Sequence, residues 1–80
     1  MVEEIVWCSR RMTRCGMVTY WMLKNTEGVY GAAIGTAKSF AVLHGVTSDA
    51  AQMRVWCKLL AKGRVRPCHL RDVMENLLCR

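Results

Sequence analysis

The sequence predicts an α+β fold: a small antiparallel sheet of three to four strands, followed by two C-terminal helices packed on one of its faces. Three observations carry that prediction. Hydrophobic patterning is strand-like before residue 48 and helical after it. Turn-forming residues punctuate only the first half at short intervals. The two helical stretches each carry one apolar stripe, so each has a single face to bury. No repeat or linker divides the chain, which reads as one domain over 1–80, with a sheet over 1–46 and a helical hairpin over 48–80.

Ile5 to Cys8 is a short apolar run with β-branched and aromatic residues, a first strand. Ser9 to Arg14 is polar and basic and reads as a connection ending in a turn at Cys15-Gly16. Met17 to Leu23 is the clearest strand, apolar on both faces. Asn25-Thr26-Glu27-Gly28 is a turn, Val29 to Ala37 a further strand, Lys38-Ser39 a turn, and Phe40 to Val46 the last strand. Thr47-Ser48-Asp49 starts a helix, with Ser48 or Asp49 as cap and Gln52 in capping-box position. Met53, Trp56, Cys57 and Leu60 form its stripe, and Gly63 is its expected stop. Pro67 suits the first turn of a second helix, whose stripe is Leu70, Val73, Met74 and Leu77.

Composition narrows the function classes. Eighty residues, 52% of them hydrophobic, are too apolar for a disordered chain and too few for an enzyme with a separate cofactor lobe. The longest charge-free stretches, 28–37 and 39–48, are half the length of a membrane-spanning helix. The opening MVEEIVWCSRRMTR has glutamates first and no apolar run after its arginines, so a signal peptide is not expected and a cytoplasmic location is. Five cysteines, Cys8, Cys15, Cys57, Cys68 and Cys79, form no C-x-x-C pair and an odd set, which reads as reduced thiols. A zinc set of His44, Cys57, Cys68 and His69 has no recognised spacing, so neither metal nor cofactor is expected.

Catalytic chemistry has no local motif. Asp72 and Glu75 share a helical face, where such carboxylates are ordinarily solvated or cap a helix start. His69 reads as a cap or core-edge residue and His44 as structural. The glycines at 28, 31 and 35 lack the spacing of a phosphate loop and precede no helix.

The charge of +6 is more informative. Arg10, Arg11 and Arg14 form one basic group; Lys58, Lys62, Arg64 and Arg66 form another. Two dense groups with few acids point to an anion-binding face, and the guanidinium fork suits phosphate oxygens. Trp7, Tyr20 and Trp21 flank the first group in sequence, and Trp7 and Trp21 are candidates to stack on a base. The expected ligand-binding set is therefore Trp7, Arg10, Arg11, Arg14, Trp21, Lys62, Arg64 and Arg66. The ligand would be an anionic small molecule such as a nucleotide or nucleotide-derived signal. Docking on an acidic protein, as inhibitor or adaptor, and polynucleotide binding are the alternatives.

One face of the sheet has no obvious cover. Val18, Tyr20 and Met22 alternate with Met17, Thr19, Trp21 and Leu23, and helices on one side leave the other set open. Either the N-terminal segment folds over it, or its apolar residues are simply scattered in the open, or a second copy of the chain covers it. A homodimer or higher oligomer is the expectation, because so small a domain buries little of its surface alone.

The stretch Pro67-Cys68-His69-Leu70-Arg71-Asp72-Val73-Met74-Glu75-Asn76-Leu77-Leu78 resembles the C-terminal signature of a family of short Firmicutes proteins, a domain of unknown function. That signature is a proline, a His-Leu-x-Asp-Val core, an acidic residue and an apolar end. Tyr30-Gly31 and Ser48-Asp49 also match its pattern, and the resemblance spans residues 18–80. It implies a Firmicutes or phage source and transfers no activity. The basic, cysteine-containing N-terminal segment departs from the family pattern and would suit a specialised, phage-encoded member that sequesters a nucleotide signal.

Overall fold

The computed structural model describes residues 3–78; Cys79 lies outside them. Four strands are followed by two helices, as the patterning predicts: β1 Glu4–Thr13, β2 Gly16–Lys24, β3 Tyr30–Gly35, β4 Phe40–Thr47, α1 Ala50–Lys62 and α2 Leu70–Leu78, the last preceded by a single 3-10 turn at Pro67–His69. The strands form one antiparallel meander in the order β1-β2-β3-β4.

The main departure from expectation is β1. Residues 9–13 continue the strand rather than leave it, so Arg10 and Arg11 stand on the sheet and not in a connection. β1 is an edge strand. Its backbone is paired on one side by β2, and charged side chains are well tolerated where the other side faces water. A bulge between Ile5 and Trp7 shifts the register, so Ile5 lies opposite Leu23 but Trp7 lies opposite Met22. That single extra residue moves Trp7 onto the helix-facing side of the sheet. β3 is also shorter than its sequence suggests. Thr36 leaves the ladder because its hydroxyl accepts from the backbone N–H groups of Lys38 and Ser39, closing the β3–β4 turn.

Asn25 organises the β2–β3 loop: its Oδ1 accepts from Glu27 N and Val29 N, each at 2.9 Å. α1 starts where the capping chemistry predicts, with Asp49 Oδ1 accepting from Gln52 N at 3.1 Å. The reciprocal half of the box is supplied by Thr47, whose Oγ1 accepts from Asp49 N.

The core lies between the sheet and the helices. Val18, Tyr20 and Met22 from β2 and Ala32 and Ile34 from β3 meet Met53, Cys57, Leu60 and Ala61 of α1 and Leu70 and Met74 of α2. Val73 and Leu77 are half-buried against this cluster. Both helices cover the same side. The opposite side of the sheet carries Met17, Trp21 and Phe40 in the open. Among the described residues no helix is long and apolar enough to cross a membrane.

Candidate anion-binding site

The meander decides where the functional side chains gather. Alternate turns of a meander share an end, so the β1–β2 and β3–β4 turns lie together and the β2–β3 loop lies opposite. α1 starts beside that opposite end, after β4, and runs back. Its C-terminus therefore arrives beside the β1–β2 turn.

The β1–β2 turn is tight. Thr13 Oγ1 donates to the Gly16 carbonyl at 2.9 Å and accepts from Cys15 N at 3.2 Å. Gly16 takes φ 114, a conformation costly for any side chain. Arg14 and Cys15 are thereby held outward and exposed.

The segment after α1 is fixed by a run of backbone bonds: Gly63 N to Leu59 O, Arg64 N to Ala61 O and Val65 N to Leu60 O, at 2.9, 3.1 and 3.1 Å. Gly63 ends the helix as expected, but with helical φ and ψ; the left-handed position falls on Arg64, at φ 49. The Val65 carbonyl accepts from the Tyr20 hydroxyl at 2.9 Å, which ties the segment to the centre of the sheet. Arg66 Nη2 then donates to Cys15 Sγ at 2.6 Å, joining residues 51 positions apart.

The two basic groups therefore meet. Arg14, Arg64 and Arg66 line one shallow depression with Met12 and Thr13. Arg11 stands opposite Val18 on the helix-facing side of β1. Both Arg11 and Arg64 act on the Tyr20 hydroxyl. Burial raises its pKa above the ordinary value of 10.0, and the two guanidinium groups offset part of that rise. Arg66 also borders an adjoining cleft of about 290 Å³, walled by Thr13, Cys15, Thr36, Lys38 and Cys68.

Other candidates fall elsewhere. Arg10 stands opposite Thr19, on the far side of the sheet. Lys62 ends α1 and is exposed, but it lines neither depression. Trp7 sits six residues up the strand from Thr13, roughly 20 Å away, and packs against the core. Trp21 is on the open face, its ring centroid 5.8 Å from that of Phe40. The expected pairing of tryptophan with arginine is corrected for Trp7, whereas Trp21 lines a depression that shares Cys15, Thr36 and Ala37 with the cleft that Arg66 borders.

Lys38, Thr36 and Cys15 are not among the binding residues that the sequence suggests. Their signal is topological, since both turns that carry them share one end of a meander.

Among the described residues the carboxylate contact with a basic side chain is that of Glu3 with the His44 imidazole, at 2.5 Å. None of the clustered arginines is within salt-bridge distance of a carboxylate there. Cys57 is buried, and burial pushes its thiol up to about 12, so it stays protonated and unreactive. Cys8, Cys15 and Cys68 are free and exposed. Asp72, Glu75 and His69 are exposed on or beside α2. Among the described residues no group of three or more His, Cys, Asp or Glu is placed to hold a metal ion.

Compared with known proteins, the chain matches no family model, no curated sequence and no solved structure.

Proposed function

We propose that this chain is a small non-enzymatic binding protein that holds a phosphate-bearing small molecule, a nucleotide or nucleotide-derived signal, at the arginine-lined end of the sheet. One observation carries this reading. Arg14 from one end of the chain and Arg64 and Arg66 from the other line one depression, Arg11 stands on the neighbouring strand, and no described carboxylate pairs with them. Three guanidinium groups around one depression repel one another. Fixing them by a sheet, a tight turn and a capped helix end has a return when a polyanion occupies the space between.

In this reading Arg14, Arg64 and Arg66 grip phosphate oxygens, and Arg11 adds to the positive field from below. The adjoining cleft takes the rest of the ligand, with Lys38 and the hydroxyls of Thr13 and Thr36 as polar contacts and Val18 and Pro67 as apolar wall. Base stacking on Trp7 is not part of it, since that indole packs against the core; Trp21 borders the next depression, which shares Cys15, Thr36 and Ala37 with the cleft. The protein acts in the cytoplasm, where its exposed thiols stay reduced.

Thermal-shift and calorimetric titration with a panel of nucleotides and inorganic pyrophosphate tests the reading. A ligand at about 100 times its Kd adds about 2.7 kcal/mol to stability. Arg66→Ala and Arg14→Ala each weaken that effect. No stabilisation by any member at millimolar concentration overturns the reading. Steeply salt-dependent DNA or RNA binding would replace it with polynucleotide recognition, and stoichiometric capture of one acidic protein with a docking role.

A further inference from the structure

The side of the sheet turned away from the helices has its own logic, and it meets the arginine cluster only at Met12. Met12 and Met17 stand directly opposite each other on β1 and β2. Trp21 leans across Gly35, close enough that a Cβ there would lie 2.9 Å from the indole ring. The same indole meets the Phe40 ring on β4. Ala33, between them in the register, is fully covered. The result is a continuous apolar plateau across all four strands, and much of it faces water: Met12 and Phe40 are each 65% exposed, and Ile5 is 60% exposed. Arg10 is the charged residue of the middle of this face, and it stands on the edge strand, where its stem can carry the charge to the rim.

We propose that this plateau is a homodimer interface, in which two copies stack sheet on sheet about a two-fold axis. The area agrees with what such a dimer needs. Four strands at about 4.8 Å spacing, each about eight residues long, give a footprint of roughly 19 by 26 Å, near 500 Å² per copy. Stacking two copies removes on the order of 1,000 Å² from water, the size at which specific association begins. Aligned sheet packing about 10 Å apart is a common way for two apolar sheet faces to bury each other. A polyanion is the poorer occupant, because the face offers Arg10 alone for charge neutralisation, and single-stranded nucleic acid needs a charged groove as well as aromatic platforms. A chain of 80 residues also gains most from a second layer, turning a two-layer domain into a four-layer assembly with a second core.

Sedimentation equilibrium of the full chain, from low micromolar to near-millimolar concentration, provides the test. The expected result is a reversible species of twice the 9.1 kDa chain mass. Phe40→Glu and Met12→Glu place a carboxylate on the plateau at exposed positions and weaken the dimer by on the order of a hundredfold. Val55→Glu, on the exposed side of α1, leaves it unchanged. Hydrogen exchange of the unaltered protein adds a readout that needs no variant: protection of β1 and β2 amides rises with concentration. A monomer at every concentration, or a dimer indifferent to both plateau variants, overturns the proposal. So does quenching of Trp21 by oligonucleotides with no change in mass. Ligand titration of the Phe40→Glu monomer keeps this result separate from the anion-binding reading, since Phe40 lines neither depression.

Discussion

The Tyr20 hydroxyl donates a 2.9 Å hydrogen bond to the Val65 carbonyl, so the most buried tyrosine of the sheet holds the segment that presents Arg64 and Arg66. Tyr20→Phe removes that donor and leaves a partly buried carbonyl without its partner. The expected cost is about 1–2 kcal/mol, read as a fall of roughly 4–8 °C in Tm per kcal/mol for a domain of this size. Anion affinity falls as well, although no arginine has changed. A Tyr20→Phe protein with unaltered affinity would show that the segment is held by other contacts.

Arg64 carries a side chain in the left-handed region, at φ 49, one residue beyond the glycine that caps the helix. Arg64→Gly relieves this and raises stability by about 0.5–1 kcal/mol in denaturant titration. The same variant weakens anion binding, because a guanidinium is lost. Stability and affinity moving in opposite directions is the signature of a strained residue retained for its charge. If both fell together, Arg64 would be serving the fold.

Alkaline pH destabilises the fold through Cys57 and Tyr20. Burial pushes the Cys57 thiol from 9.0 to about 12 in the folded chain. Between those values the unfolded chain releases a proton that the folded chain keeps, so the free energy of unfolding falls as pH rises across that window. Tyr20 adds a slope of the same sign above pH 10, since its pKa is also raised. Urea titrations between pH 9 and 12 measure the slope. Cys57→Ala flattens it, and an unchanged slope in that variant would assign the alkaline loss to other groups.

Gly31 is required for strand approach rather than for a turn. A Cβ at this position would collide with the backbone carbonyl of Leu43 in β4, an atom that no rotamer change can move. Gly31→Ala is expected to cost about 2–3 kcal/mol or more and to disturb β3–β4 pairing. Circular dichroism and thermal unfolding report it. A variant with an unchanged Tm would mean that β4 gives way freely where its register against β3 shifts, between Tyr30 and Ala32.

Much of this architecture is legible in the sequence because local chemistry and tertiary packing agree. Asp49 caps α1, Pro67 opens the second helical segment, and Met53, Cys57 and Leu60 point where their spacing says. β1 was half legible. Ser9, Arg10 and Arg11 have no strand character of their own, and they extend because β2 offers an unpaired edge. The face on which Trp7 falls was not legible at all, since one bulged residue at position 6 reverses the parity of the strand. The binding cluster was legible as two groups but not as one site. Their meeting follows from the end at which α1 terminates, a property of topology rather than of any local motif.

That topology carries a consequence for synthesis. The ribosome releases Arg11 and Arg14 early and Arg64 and Arg66 late, with the whole meander in between. A nascent chain that has completed its sheet holds half of the cluster, and a fragment ending at β4 holds no more. A chain must run past residue 66, with α1 docked, before both basic groups stand at one end of the sheet.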